Sequence, residues 1–181
     1  MPEYKNIEVT RDKKTAVAAL KTPPNRETVQ ELLALMEELS IDKTVGALVI
    51  SGDFGAAPGT IADGDEMAAL CEAVEGFSRP VIAAITASAQ GPGFELALAC
   101  DLRVSAETTR FGFPGTTGGP ATRLAKLVGV ARAKHMALTG QIIDALEAER
   151  LGLLSHTSAE SEVTAVARKL AKSVASRASR K

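Results

Sequence analysis

The sequence predicts an α/β layer fold, because short strand segments without polar alternation alternate with longer segments of helical periodicity. Two of the strand segments, Val45–Ile50 and Val81–Thr86, read as strands covered on both faces. The helical segments between and after them supply the covering layers. The composition fits a single continuous core: 181 residues, 45% hydrophobic and 24% charged, describe an ordinary globular chain. The expectation is one domain over 1–181, with an α/β core in 1–115 and a mainly helical part in 116–181.

Taken in order, Asn6–Thr10 and Thr15–Leu20 flank the charged turn Arg11–Lys14 and predict a β-hairpin. Thr22-Pro23-Pro24-Asn25 breaks that pattern. Glu27–Leu39 then sets Val29, Leu32, Leu33, Met36 and Leu39 on one helical face, with Asn25 as N-cap and Glu27 in the first turn. The first buried strand follows, then Gly52–Gly64 as loop. Asp65–Phe77 is the next helix, with Met67, Leu70, Cys71 and Val74 facing inward. The second buried strand leads into a buried helix at Gly93–Cys100. Leu102–Ser105 and Arg110–Phe113 read as short strands around a turn. The remainder is helical: Arg123–Val128, Ala131–Leu138, Asp144–Leu151, and Glu160–Ser176 with Val163, Val166, Leu170 and Val174 aligned.

Composition also excludes functions. Aromatics are 3% of residues and Trp is absent, which leaves no platform for stacking nucleic-acid bases. The net charge is −1 with acidic and basic residues interleaved, so no polyanion partner is expected. The basic stretch Arg168–Lys181 matches the dipole of a helix C-terminus. Cys71 and Cys100 lie in apolar helical text and read as buried free thiols of a reducing compartment. Met1–Arg11 is polar and no apolar run reaches membrane-spanning length, so the expectation is a cytoplasmic protein with no membrane partner.

The stretch that bears chemistry is Gly91-Pro92-Gly93-Phe94-Glu95, which follows a buried strand and opens a helix. A helix N-terminus presents free N–H groups and the positive end of the dipole, and it stabilises an anion or a developing oxyanion. Glu95 falls in the first turn between Phe94 and Leu96, where desolvation would raise its pKa toward acid–base use. The same residues admit a structural reading: the glycines allow close packing on a strand, Pro92 suits a first helical position, and Glu95 neutralises the dipole. His135 and His156 lack ligand spacing, so no metal site is expected, and His135 reads as a surface or packing residue. No phosphate-binding loop of Walker type occurs, Gly112–Gly119 lacks dinucleotide-binding spacing, and no nucleophilic Ser has an evident His and Asp.

Several ordered blocks resemble the crotonase (enoyl-CoA hydratase/isomerase) family. They are VGALVISG (Val45–Gly52), RPVIAAI (Arg79–Ile85), QGPGFELALACDLRVSAE (Gln90–Glu107), RFGFPG (Arg110–Gly115) and LVGVARAKHMALTGQIIDALEAERLGLLS (Leu127–Ser155). The resemblance implies a crotonase-like spiral of ββα units, an acyl-CoA thioester substrate, and assembly as a homotrimer or hexamer. It implies no cofactor other than coenzyme A as part of the substrate. In the family two backbone N–H groups hold the thioester oxygen as an enolate forms. The first maps to Thr60, after Gly59, and the second to Pro92, in the middle of Gly91-Pro92-Gly93. Proline has no N–H, and loss of one such donor lowers rates by roughly 10²–10³, unless Gly93 supplies the bond instead.

Glu95 matches the family's first glutamate. Gly115 stands where hydratases carry the second, and Asp63, Asp65 or Glu66 are the nearby carboxylates. Gly59, Gly91 and Pro92 would border the thioester, and Arg26 would meet a phosphate of coenzyme A. The match ends where full-length relatives carry further C-terminal helices, so the aligned apolar face of Glu160–Ser176 is expected to be exposed for oligomerisation. Two functions follow from the resemblance: a hydratase or isomerase with an altered oxyanion hole, or a non-catalytic acyl-CoA-binding or assembly subunit.

Overall fold

A computed structural model describes residues 4–55, 64–113 and 121–178. The predicted hairpin forms: β1 (Ile7–Asp12) pairs antiparallel with β2 (Thr15–Leu20), Ile7 lying opposite Leu20. The tight connection places Lys13 at φ 56°. Helix α1 (Arg26–Ile41) starts where Asn25 Oδ1 accepts from the Thr28 N–H at 2.8 Å, and it buries Val29, Leu32, Leu35, Met36 and Leu39. Leu33, assigned to the inner face, is only partly buried; Leu35 takes the deeper place.

Both buried strands run longer than their apolar text. They are β3 (Ala47–Phe54) and β4 (Val81–Gln90), parallel to each other, with β2 parallel on the far side of β3. Helix α2 (Gly64–Glu75) joins them and buries the four residues expected of it, Met67, Leu70, Cys71 and Val74. Then come α3 (Pro92–Ala99), β5 (Leu102–Ala106) and β6 (Arg110–Gly112). Strand β4 serves two partners in succession. Its first half pairs with β5, and its end pairs with β6 through Ala89↔Phe111 and Gln90↔Gly112. Helices α4 (Ala121–Val128), α5 (Val130–Thr139) and α6 (Ala145–Arg150) follow. Two very short strands were not anticipated: β7 (Ile143–Asp144) pairs with β6, and β8 (His156–Ser158) extends the sheet beside β5.

Alternation along the strands explains the double cover. Leu48, Ile50, Val81, Ala83 and Ile85 face α1, α2 and α3 in one cluster, while Ala47, Val49, Ile82, Ala84 and Val104 face the opposite way. The second face is closed by α7 (Val163–Ala178), after a 3₁₀ turn at Glu160–Glu162. This corrects the expectation of an exposed apolar face on Glu160–Ser176. Val163, Ala167, Ala171 and Ala175 recur every four residues and are buried against the sheet, with Val166, Leu170 and Val174 partly buried beside them. Alanine makes the approach close: a Cβ added to Gly46 would lie 3.0 Å from that of Ala175. Cys71 and Cys100 are buried free thiols, as expected.

Candidate active site

The end of β4 turns into α3 at Gly91, whose φ of 55° and ψ of −130° suit glycine alone. The Gly91 N–H donates to Gly112 O at 2.9 Å, which ties this corner to β6. Pro92 is the first helical residue, and the Glu95 N–H donates to Gly91 O at 3.2 Å. Gly93 sits on the end of β3 so closely that a Cβ there would fall 1.9 Å from Phe54 O. The close-packing reading of this glycine is therefore correct. Pro92 has no N–H, and the N–H groups of Gly93 and Phe94 have no acceptor among the described residues. Phe94 itself points into an aromatic cluster, its ring 5.8 Å from Phe111 and 5.0 Å from Phe113 between centroids.

Glu95 is 5% exposed. Its Oε2 accepts from Arg123 Nη1 at 3.2 Å, and its Oε1 is buried with no partner. Burial pushes the carboxyl up to about 7; the hydrogen bond and charge of Arg123 pull the other way, and the charge of Glu75 adds to the rise. Arg123 is shared, since its Nη2 donates to Glu75 Oε2 at 2.9 Å. The result is a Glu75–Arg123–Glu95 chain that joins α2, α4 and α3. No backbone N–H among the described residues donates to Glu95, so it does not cap the helix. A carboxyl poised near neutrality with one free oxygen is suited to exchange a proton with a bound molecule.

The structure brings Gly91, Pro92, Gly93 and Glu95 into one corner. Arg26 stands at the start of α1, its side chain 64% exposed and paired with Glu66 at 2.9 Å. That pairing engages one oxygen of Glu66; its Oε2 is buried without a partner, and Asp65 is exposed. Gly59, Thr60, Asp63 and Gly115 lie outside the described residues. At the end of β3, Asp53 Oδ1 accepts from the Gly55 N–H at 2.8 Å and from Ser88 Oγ at 2.9 Å. His135 and His156 are both exposed. Sequence reasoning missed Arg123. It is separated from Glu95 by 28 residues, and no spacing or glycine signal marks it.

Comparison with known proteins bears on the family and the fold over most of the chain. Residues 7–181 match the family model described as enoyl-CoA hydratase/isomerase. A short-chain-enoyl-CoA hydratase of Clostridium acetobutylicum is 30% identical, the alignment covering 97% of this chain and 77% of that protein. Among solved structures, Pseudomonas aeruginosa DspI superposes with a TM-score of 0.86 at 30% identity, over 97% of this chain and 76% of that one. A monofunctional enoyl CoA isomerase from M. smegmatis gives 0.79 at 29% identity, over 93% of this chain and 84% of that one. The α/β fold is thus that of crotonase-type proteins.

Proposed function

The chain belongs to the enoyl-CoA hydratase/isomerase family, and from that premise we propose that it binds an acyl-CoA thioester with the carbonyl at the N-terminus of α3 and Glu95 as the proton carrier. The observation that supports this most directly is Glu95 itself: buried, raised to about 7, with one oxygen free, in the same first helical turn as the Gly93 and Phe94 N–H groups, which have no acceptor among the described residues. Hydration of a 2-enoyl thioester adds hydroxyl at C3 and hydrogen at C2. Isomerisation removes a proton at C2 and returns one at C4. Both pass charge to the thioester oxygen, which N–H donors stabilise, and both need a group that exchanges a proton near neutral pH. In this reading Thr60 supplies one N–H group and the second donor is lost at Pro92, with Gly93 the nearest substitute; Gly59, Gly91 and Pro92 border the thioester, and Arg26 turns from Glu66 to a coenzyme A phosphate. Coenzyme A enters only as part of the substrate.

Pro92 gives specific support to a second reading, a non-catalytic acyl-CoA-binding or assembly subunit, because the helix position that would hold the oxyanion has no N–H. Under either reading the protein works as a homotrimer or hexamer in the cytoplasm. No described helix is long and apolar enough to cross a membrane. Light scattering is expected to give three or six times the 18.8 kDa chain mass. Crotonyl-CoA separates the two readings. Wild type is expected to hydrate it slowly, and Pro92→Gly to raise kcat on the order of 10²-fold with little change in KM, because the restored donor acts as charge develops. Binding without turnover in both proteins would establish the subunit reading. No binding at millimolar crotonyl-CoA would refute the thioester site.

A further inference from the structure

We propose that Arg123 is a positioning residue: anchored on Glu75, its guanidinium holds Glu95 Oε2 and so leaves Oε1 as the single oxygen that exchanges the proton. The proposal rests on the acid–base reading of Glu95. The geometry that carries it is asymmetric. Glu95 presents two oxygens in the same buried place, one bonded to Arg123 at 3.2 Å and one without any partner. An arginine with a second, outward bond to Glu75 at 2.9 Å cannot rotate to follow the proton, because its planar fork is fixed at both ends.

The three helices that meet here come from distant stretches of chain, so the pair also locks α4 against α2 and α3. Among the described residues, the charged and titratable groups facing Glu95 are Cys71 and Glu75 of α2 and Arg123 of α4. Burial pushes the Cys71 thiol up to about 12, so it stays neutral. That leaves one cation and one anion to act on Glu95. Burial raises the carboxyl most, Arg123 opposes it by favouring the charged form, and Glu75 adds to the rise by favouring the neutral form.

The test is carbon-13 NMR of the side-chain carboxyls in protein labelled at glutamate, the Glu95 signal identified by its loss in Glu95→Gln. In Arg123→Met the Glu95 midpoint is expected to rise by about one pH unit or more. Arg123→Lys, which keeps the charge without the fork, is expected to fall between Met and wild type. In Glu75→Gln, which keeps the arginine, the midpoint is expected to drop, and this variant reads the network even where Arg123→Met folds poorly. With crotonyl-CoA, Arg123→Met is expected to lower kcat on the order of tenfold to a hundredfold while KM changes little. An unmoved midpoint in Arg123→Met, or in Glu75→Gln where Met does not fold, overturns the positioning role alone. Undiminished turnover in Glu95→Gln overturns the acid–base reading, and the positioning role with it.

Discussion

Glu95 links the site to the stability of the fold through its proton. Its carboxyl moves from an ordinary value of 4.5 to about 7 on folding. Between those values the folded state binds more protons than the unfolded one, so the contribution is full below about pH 4.5 and is lost as pH rises through 7. The drop amounts to at most about 3 kcal/mol. Urea unfolding across this range is expected to show it in wild type and to lose the slope in Glu95→Gln; a parallel slope in the variant would assign it to other groups. Gly93 makes a second prediction of the same scale. Alanine there places a methyl against the Phe54 carbonyl, and the backbone must move, so Gly93→Ala is expected to destabilise by about 3 kcal/mol in the same measurement. Glu95 was legible in the sequence because Gly91-Pro92-Gly93 announces a helix N-terminus just before it. Arg123 was not, because a bond across 28 residues and two helices leaves no local trace.

Elements with caps and long periods were read well, and elements fixed by their partners were not. Helix α1 was visible through Asn25 and its apolar face. The cap also predicts a size: Asn25 Oδ1 accepts from both the N–H and the hydroxyl of buried Thr28, each at 2.8 Å. Asn25→Ala is expected to cost about 1–2 kcal/mol, at the upper end of the usual range because it orphans a buried hydroxyl as well. Strands β7 and β8 span two and three residues, too short for any alternation to register. Helix α7 was found but its face was misassigned. Hydrophobicity favours Val166, Leu170 and Val174, yet the sheet accepts the smaller Val163–Ala167–Ala171–Ala175 row, because only alanine lets a helix lie so close to strands that are themselves rich in alanine. A larger residue in that row should lift the helix. Ala171→Leu is expected to lose about 1–3 kcal/mol in thermal or urea unfolding; a neutral result would mean that α7 sits more loosely than its burial implies.

At the scale of the whole molecule the site has no element of its own. Gly93 packs on the end of β3, Gly91 bonds to the end of β6, Glu95 rides on α3, and Arg123 reaches it from α4 while held by α2. A ligand seated there touches a corner that exists only when strands and helices from most of the chain have assembled, so its binding energy adds to the stability of the entire fold. For a ligand that binds only the folded state, the gain at a concentration of 100 times Kd is about 2.7 kcal/mol. For a chain of this size that corresponds to a rise in Tm of roughly 5–10 °C. The proposed site therefore predicts a graded thermal shift: crotonyl-CoA raises Tm most, coenzyme A alone raises it less, and free crotonate does nothing measurable. Glu95→Gln should retain most of the crotonyl-CoA shift, since the carboxyl acts on the proton more than on ground-state binding. Gly93→Ala should lose the shift along with stability, since it displaces the corner itself. Equal shifts from crotonyl-CoA and coenzyme A would place the affinity in the nucleotide end alone and remove the thioester from α3.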